Sequence, residues 1–369
     1  MFQVVVHTPD VVGDRMAGPG IRAWQLWRQL AAHFPTTLIA KREGAPDSQL
    51  ANPDFPLIPH GTDAARAAMR EASVLVGQPA RGFRKRSARQ RIVFDLFDPT
   101  VLELRELYGN APSMRQRVHL AAEWGRLAQA LMGADLLVCA ARRQRELYER
   151  LQSGDAPWIE VPFGIDPEET RSCAKPQDNV VVWGGGVWEW LDPATAIDAI
   201  VQINSEGLRA KLLFLGRSRP NRDLIDRRRD DRFDELLRRG GPHVSANAEW
   251  VPYRERLSWL RSGKIAIMLH RRTAEAQYSI RTRLFDAIAA GTPVVATAGG
   301  FAAELVEQEG LGIVVSPGDV AAVAAAIRRL LTDDELHSSC VESLERIRPR
   351  FAWEVVTRPL VREIMKWQM

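Results

Sequence analysis

The sequence predicts an α/β protein built as two Rossmann-like halves. Three observations predict it. Short Val-rich runs that suit buried parallel strands alternate with stretches of helical apolar periodicity. The alternation runs from Phe2 to Gly164, breaks over a polar stretch with two prolines, and starts again at Asn179. The chain of 369 residues is too long for one ordinary core. The expected domains are 1–165 and 178–350, with a last helix over 351–369 and a linker from Ile165 to Gln177.

The first half opens with Phe2 to His7 as a strand. A Gly-rich loop follows, Met16 to Gly20, in which Pro19 fits the first position of a helix. Ile21, Trp24, Leu26, Trp27 and Leu30 give that helix an apolar face, and Thr37 to Ala40 is the next strand. Strand, Gly-rich turn, helix and strand make the first unit of a Rossmann-like half. Gly18 and Gly20 would let backbone amides approach a ligand there, although the dinucleotide pattern Gly-x-Gly-x-x-Gly is absent.

Further strands are expected at Ser73–Val76, Arg91–Phe94 and Leu136–Cys139, separated by helices near Asp63–Glu71 and Pro112–Met132. Asp95 and Asp98 follow the middle strand. Ligands gather at the carboxyl ends of parallel strands, so a functional role for either carboxylate is expected. The alternative for Asp98 is a plain cap on the next helix.

The second half starts with Asn179–Trp183 as a strand, followed at once by Gly184-Gly185-Gly186. Asp192 is read as the N-cap of the next helix, with Pro193 at its first position. Lys211–Leu215 is a strand, and the charge-dense Arg227–Arg239 reads as a solvated helix. Ile265–Leu269 is a buried strand that delivers His270, and a polar loop carrying Glu275 follows. Gly299-Gly300-Phe301 reads as a loop, Leu311–Val315 as a strand and Asp319–Leu331 as a helix.

Ser279 to Ala296 carries the strongest functional signal. Ser279 is expected to cap a helix in which Leu284, Ala287 and Ile288 recur at helical spacing; Gly291 ends it and Val294-Val295-Ala296 enters a strand. Arg281 and Arg283 then lie in the first turn with Thr282, where they oppose the helix dipole unless an anion is near. Two guanidinium groups beside open amides suit a diphosphate. The alternative is two solvated arginines.

Composition bounds the rest. The chain is 46% hydrophobic, with 50 Lys and Arg against 46 Asp and Glu, a net charge of +4 and a sequence pI of about 9.1. That suits an anionic ligand or loose contact with an anionic membrane surface, and is too weak for nucleic acid. Three distant cysteines without Cys-x-x-Cys argue against a disulfide framework or structural zinc, and no metal-ligand cluster reads elsewhere. With a strand starting at Phe2 and no run long enough to span a bilayer, the expected place is cytoplasmic, in the cytosol or at the inner face of its membrane.

These motifs together resemble the retaining glycosyltransferases of family four, which have the GT-B fold. The residues carrying the resemblance are Ser279-Ile280-Arg281-Thr282-Arg283 with Asp286 and Ala289 to Val295, supported by Trp183–Gly186, Trp190–Pro193, Val161–Asp166, Ala17–Arg22 and Phe351–Glu354. The resemblance implies two Rossmann-like domains facing a cleft, with the last helix crossing back to the first. It implies a nucleotide-diphosphate sugar as donor substrate, no other cofactor, no metal, and a glycan or lipid-linked acceptor held by the first domain.

Carried over by position, Arg281, Arg283 and nearby amides, including Gly185 and Gly186, would meet the diphosphate. Asp286 would bind the ribose, Trp250 and Val251 would flank the base, and Glu275 and His270 would lie near the sugar. Gly18 and Gly20 would border the acceptor side, where Asp95 or Asp98 would orient the acceptor hydroxyl or take its proton. Two positions depart from the pattern. Tyr278 stands where the family commonly has the first of two glutamates, and Trp188 and Glu189 occupy the loop that usually holds an Arg and a Lys. A sugar phosphorylase or epimerase of the same fold, and a two-lobed binding protein without catalysis, are the rival readings.

Overall fold

The computed structural model describes residues 2–42, 57–166, 177–216 and 227–368. The expected linker lies mostly outside the described residues. The chain divides into two units. The first comprises Met1–Gly164, Tyr278–Ile280 and Trp353–Met369, the second Ile165–Gln277 and Arg281–Ala352.

In the first unit the order is β1 (Val4–Val12), α1 (Gly18–Ala31), β2 (Thr36–Arg42), β3 (Leu57–Pro59), α2 (Asp63–Glu71), β4 (Val74–Gly77), β5 (Arg91–Asp95), α3 (Thr100–Tyr108), α4 (Met114–Gly133), β6 (Leu136–Cys139), α5 (Arg142–Glu149) and β7 (Trp158–Glu160). The strands form one parallel sheet, β3-β2-β1-β4-β5-β6-β7. Its centre is buried on both faces, which is why β1 and β4 read as unbroken Val and Leu runs with Val4 opposite Val74 and Val6 opposite Val76. The helix expected near Pro112 starts at Met114, where Ser113 and Gln116 form a capping box.

The second unit runs β8 (Gln177–Trp183), α6 (Pro193–Ser205), β9 (Lys211–Phe214), α7 (Arg227–Gly240), β10 (Val244–Ala246), α8 (Arg256–Arg261), β11 (Gly263–Met268), α9 (Ala274–Tyr278), α10 (Thr282–Ala290), β12 (Val294–Thr297), α11 (Gly300–Glu309), β13 (Gly312–Val315), α12 (Val320–Thr332) and α13 (Asp334–Ile347). Its sheet is parallel in the order β10-β9-β8-β11-β12-β13. Trp183, Ile197, Phe214, Ile265 and Ile327 lie in its core. Asp192 caps α6, accepting from the Thr195 amide at 3.2 Å, with Pro193 as its first residue. Asp319 caps α12 in the same way.

The last helix, α14 (Trp353–Gln368), belongs to the first unit and packs on α1. The Trp353 ring lies against Phe163 at 5.1 Å between centroids. A Cβ on Gly164 would fall 2.3 Å from that ring, so the turn before it admits only glycine without a shift.

Three expectations are corrected. Ser279 does not cap α10: the N-cap is Arg281, in the left-handed conformation at φ 58°, and no side chain caps the helix. Gly291 ends it as expected, at φ 71°. Glu275 lies in the short helix α9 and is fully buried, not in a polar loop. Gly299-Gly300-Phe301 is the start of α11, because positive φ at both glycines folds the chain back so closely that a Cβ on Gly300 would meet the Ala276 carbonyl oxygen at 2.4 Å.

Candidate functional site

Each sheet has one place where neighbouring strands lead to opposite sides, and there the loops at the carboxyl ends part. In the second unit that place lies between β8 and β11. Gly184–Gly186 leave β8, and His270 follows β11. The two loops are tied together: Asp192 N–H donates to the Leu269 carbonyl at 3.1 Å and Arg271 N–H to the Trp190 carbonyl at 2.9 Å.

The glycine loop is shaped by an aromatic lid. Gly185 has φ 68°. A Cβ on Gly186 would stand 2.8 Å from the Trp250 ring, and one on Gly216 would stand 3.1 Å from it. Val251, next in sequence, is buried. The structure therefore brings Gly185, Gly186 and Trp250 together, and adds Arg283. That guanidinium lies over the Trp183 ring, 5.4 Å from its centroid, and donates one Nη2 hydrogen to the Gly186 carbonyl. Its Nη1 is buried and has no hydrogen-bond partner. Burial, and secondly the Arg281 charge, push the Arg283 pKa down to about 9. A cation held this way has an unmet electrostatic demand.

Arg281 is arranged differently. Its Nη1 and Nη2 donate to the two oxygens of Glu275, each at 2.7 Å, and both side chains are buried. The pair holds the left-handed backbone at Arg281, a conformation that costs a non-glycine residue on the order of 1–3 kcal/mol. Arg281 Nε is buried without a partner as Arg283 Nη1 is, but the two arginines differ in charge pairing: Arg281 is bound to a buried carboxylate, and Arg283 has no ion pair among the described residues. Thr282, between them, is the first residue of α10.

Asp286 accepts from Arg256 Nε at 3.0 Å. Arg256 in turn lies 3.6 Å above the Tyr253 ring. Burial raises the Asp286 pKa, and Arg256 opposes the shift. Sequence reasoning missed Arg256; its only signal was a basic residue at the start of a short helix after the Trp250 loop.

His270 is buried, and its backbone amide donates to Thr297 Oγ1 at 3.1 Å. Its Nδ1 lies 3.1 Å from the Arg271 carbonyl, which assigns the proton to Nδ1 and leaves Nε2 as an acceptor. Burial, then the Arg281 charge, lowers its pKa from 6.5 to about 4. Above pH 6.5 neither the folded nor the unfolded chain holds this proton. Between 6.5 and about 4 only the unfolded chain takes it up, so stability falls across that window and levels off below it. The expected loss is roughly 3 kcal/mol at one pKa unit per 1.4 kcal/mol. Denaturant unfolding at pH 7 and pH 4.5 checks it: the drop should be smaller by that amount in His270→Gln, and an equal drop in both proteins refutes the assignment.

In the first unit, Gly20 is explained by packing, since a Cβ there would fall 2.1 Å from the Val11 carbonyl oxygen. Gly18 is the first residue of α1. Asp95 is locked by Arg22, with Nε to Oδ2 at 2.6 Å and Nη2 to Oδ1 at 2.8 Å, both buried. Both oxygens of Asp95 are thus occupied by Arg22, and the pair forms an internal strut between β5 and α1. The one sequence signal for Arg22 was its place on the apolar face of α1, four residues before Leu26. Asp98 is not a helix cap, because α3 starts at Thr100 after an N-cap at Pro99.

Among the described residues no helix is long and apolar enough to cross a membrane. Nor does any group of three or more His, Cys, Asp or Glu gather as metal ligands among them.

Residues 178–333 match the model of the family described as glycosyl transferases group 1. No curated protein matches the chain by sequence. Solved structures match it by shape. Sucrose-phosphate synthase from Thermosynechococcus elongatus overlays with a TM-score of 0.72 at 16% identity, covering 99% of each chain. HepE from Anabaena, solved with UDP-glucose, gives 0.71 at 14% identity over 99% of this chain and 100% of its own. WaaG, a glycosyltransferase involved in lipopolysaccharide biosynthesis, gives 0.71 at 16%, over 98% and 99%. The likeness is one of fold: two units with parallel sheets of seven and six strands, the GT-B arrangement.

Proposed function

We propose that the chain is a glycosyltransferase that moves a sugar from a nucleotide-diphosphate donor to a glycan or lipid-linked acceptor, with retention of configuration. One observation carries the reading: the buried Nη1 of Arg283, without a partner, at the glycine loop where β8 ends. An anion placed there supplies the missing partner. The family match of the second unit supports a sugar transferase, and a protein of the same fold holds UDP-glucose.

In this reading Arg283 and the amides of Gly185 and Gly186 meet the diphosphate, and Thr282 stands beside it at the start of α10. Trp250 and Val251 flank the base, and Asp286 receives the ribose hydroxyls. Glu275 and His270 lie toward the sugar, with Arg281 positioning Glu275. Transfer passes through an oxocarbenium-like transition state while negative charge grows on the leaving diphosphate. A fixed cation and fixed amides stabilise that charge without reorganising. Retention requires the acceptor to attack the face that the diphosphate leaves. The protein works in the cytoplasm or at the inner membrane face.

Hydrolysis and transfer assays with a panel of nucleotide sugars, beside calorimetry with uridine and guanosine diphosphates, test the reading. No binding and no turnover with any of them would overturn it. Because Arg283 and amides meet the charge in this scheme, EDTA is expected to leave turnover unchanged. A loss that only added magnesium or manganese restores would contradict that. A pyridoxal phosphorylase is disfavoured among the described residues of the second unit, since Lys264 is committed to the Leu331 carbonyl and to Asp334, and Lys211 is exposed.

A further inference from the structure

The first unit contains an open pocket among the ends of β4 and β5 and the helices α3, α4 and α5. Its walls are largely aliphatic, with Leu96, Leu102, Leu127 and Leu147 among them. Two further lining residues, Trp124 and Leu151, are 40% and 44% exposed. Large apolar side chains standing in water at a cavity mouth favour an apolar occupant.

The polar groups narrow the choice. Three carboxyls line the cavity: Asp95, Asp98 and Glu123. Asp95 is paired with Arg22, and Glu123 with Arg126 and His119. The Asp98 carboxyl makes no hydrogen bond or ion pair among the described residues; only its backbone carbonyl is engaged, by Tyr148 and Thr100. Burial, then the nearby Glu103 and Asp10 carboxylates, raise the Asp98 pKa well above the usual carboxylate range, with Arg22 opposing. A carboxyl with no partner of its own on a largely apolar wall can share a hydrogen bond with a hydroxyl of a guest. Carboxyl groups on the wall also disfavour an anionic guest.

We propose that this pocket binds a neutral amphiphile, an alkyl or prenyl chain whose first uncharged oxygen meets Asp98. The inference rests on the transferase reading in one respect: the amphiphile is then the apolar part of the acceptor, which makes the acceptor a glycoside or alcohol with a hydrocarbon chain beside an uncharged head.

The test uses the full chain without nucleotide. Octyl glucoside below its micelle concentration is titrated by calorimetry, beside glucose, benzyl glucoside and octanoate. Octyl glucoside is expected to bind, glucose not, and octanoate at least about tenfold more weakly than octyl glucoside. Leu151→Glu at the exposed rim and Leu127→Trp inside the cavity should each weaken octyl glucoside by about tenfold or more, the first without risk to the core. Equal binding to both variants and to the unaltered protein overturns the proposal, as does octanoate or benzyl glucoside binding as tightly as octyl glucoside. Uridine and guanosine diphosphates are titrated separately. If a nucleotide binds and octyl glucoside does not, the pocket proposal fails and the transferase reading stands. If octyl glucoside binds and no nucleotide does, the pocket is supported and its role as an acceptor site is removed.

Discussion

Asp95→Ala is expected to destabilise the first unit by roughly 3–5 kcal/mol, the usual result of removing one partner of a buried ion pair. Arg22 is fully buried and donates two ionic hydrogen bonds to Asp95. Its remaining donors reach the Val161 and Pro162 carbonyls, at 3.0 and 3.2 Å. The Phe97 ring lies 4.7 Å from the guanidinium carbon. Without the carboxylate, a full positive charge stays in a dry site with only carbonyl dipoles around it. Asp98→Asn is the control. Its carboxyl makes no ion pair among the described residues, so an isosteric amide breaks no such pair. The measurement is the urea midpoint of the transition that carries the first unit, with an unchanged slope. An apolar double replacement, Arg22→Met with Asp95→Leu, should recover much of the loss, because the pair as a whole adds little net stability. If Asp95→Ala unfolds at the midpoint of the unaltered protein, the strut assignment is wrong.

Arg283→Ala is expected to lower turnover by about a hundredfold to a thousandfold, the range for removing one oriented donor to developing charge. Its effect on stability should be small or favourable, since the guanidinium is held beside a like charge with one arm unsatisfied. Arg281→Ala should behave oppositely. It strands the Glu275 carboxylate, which is fully buried, and its main effect is a loss of roughly 3–5 kcal/mol of stability. The contrast makes the pair informative. Steady-state kinetics and thermal unfolding on both variants separate the roles. Unimpaired turnover in Arg283→Ala would falsify the diphosphate assignment.

The sheet framework was legible because each strand lies in a doubly covered sheet and so has to be apolar throughout. The cap at Asp192 was legible because capping is local. The candidate site was readable as a set of residues near one helix start, but not as a set of roles. Nothing local distinguishes Arg281 from Arg283. What separates them is a left-handed residue at position 281, a conformation that arginine rarely adopts and no spacing announces. With it, Arg281 turns back to a glutamate six residues earlier and takes the N-cap position itself. The partner of Asp95 was out of reach for a related reason: it lies 73 residues away, on the first helix. Asp98 carried the same sequence signal as Asp95 and, unlike it, has no ion pair among the described residues.

The place of α14 sets an order of events during synthesis. The helix leaves the ribosome only after residues 165–352, yet the first unit needs it to cover α1 and to seat Trp353 against Gly164. Until then the amino-terminal part waits with an unsealed greasy side while the whole of residues 165–352 is made, roughly 10–40 s at common elongation rates. The second unit can therefore mature first although it is encoded second.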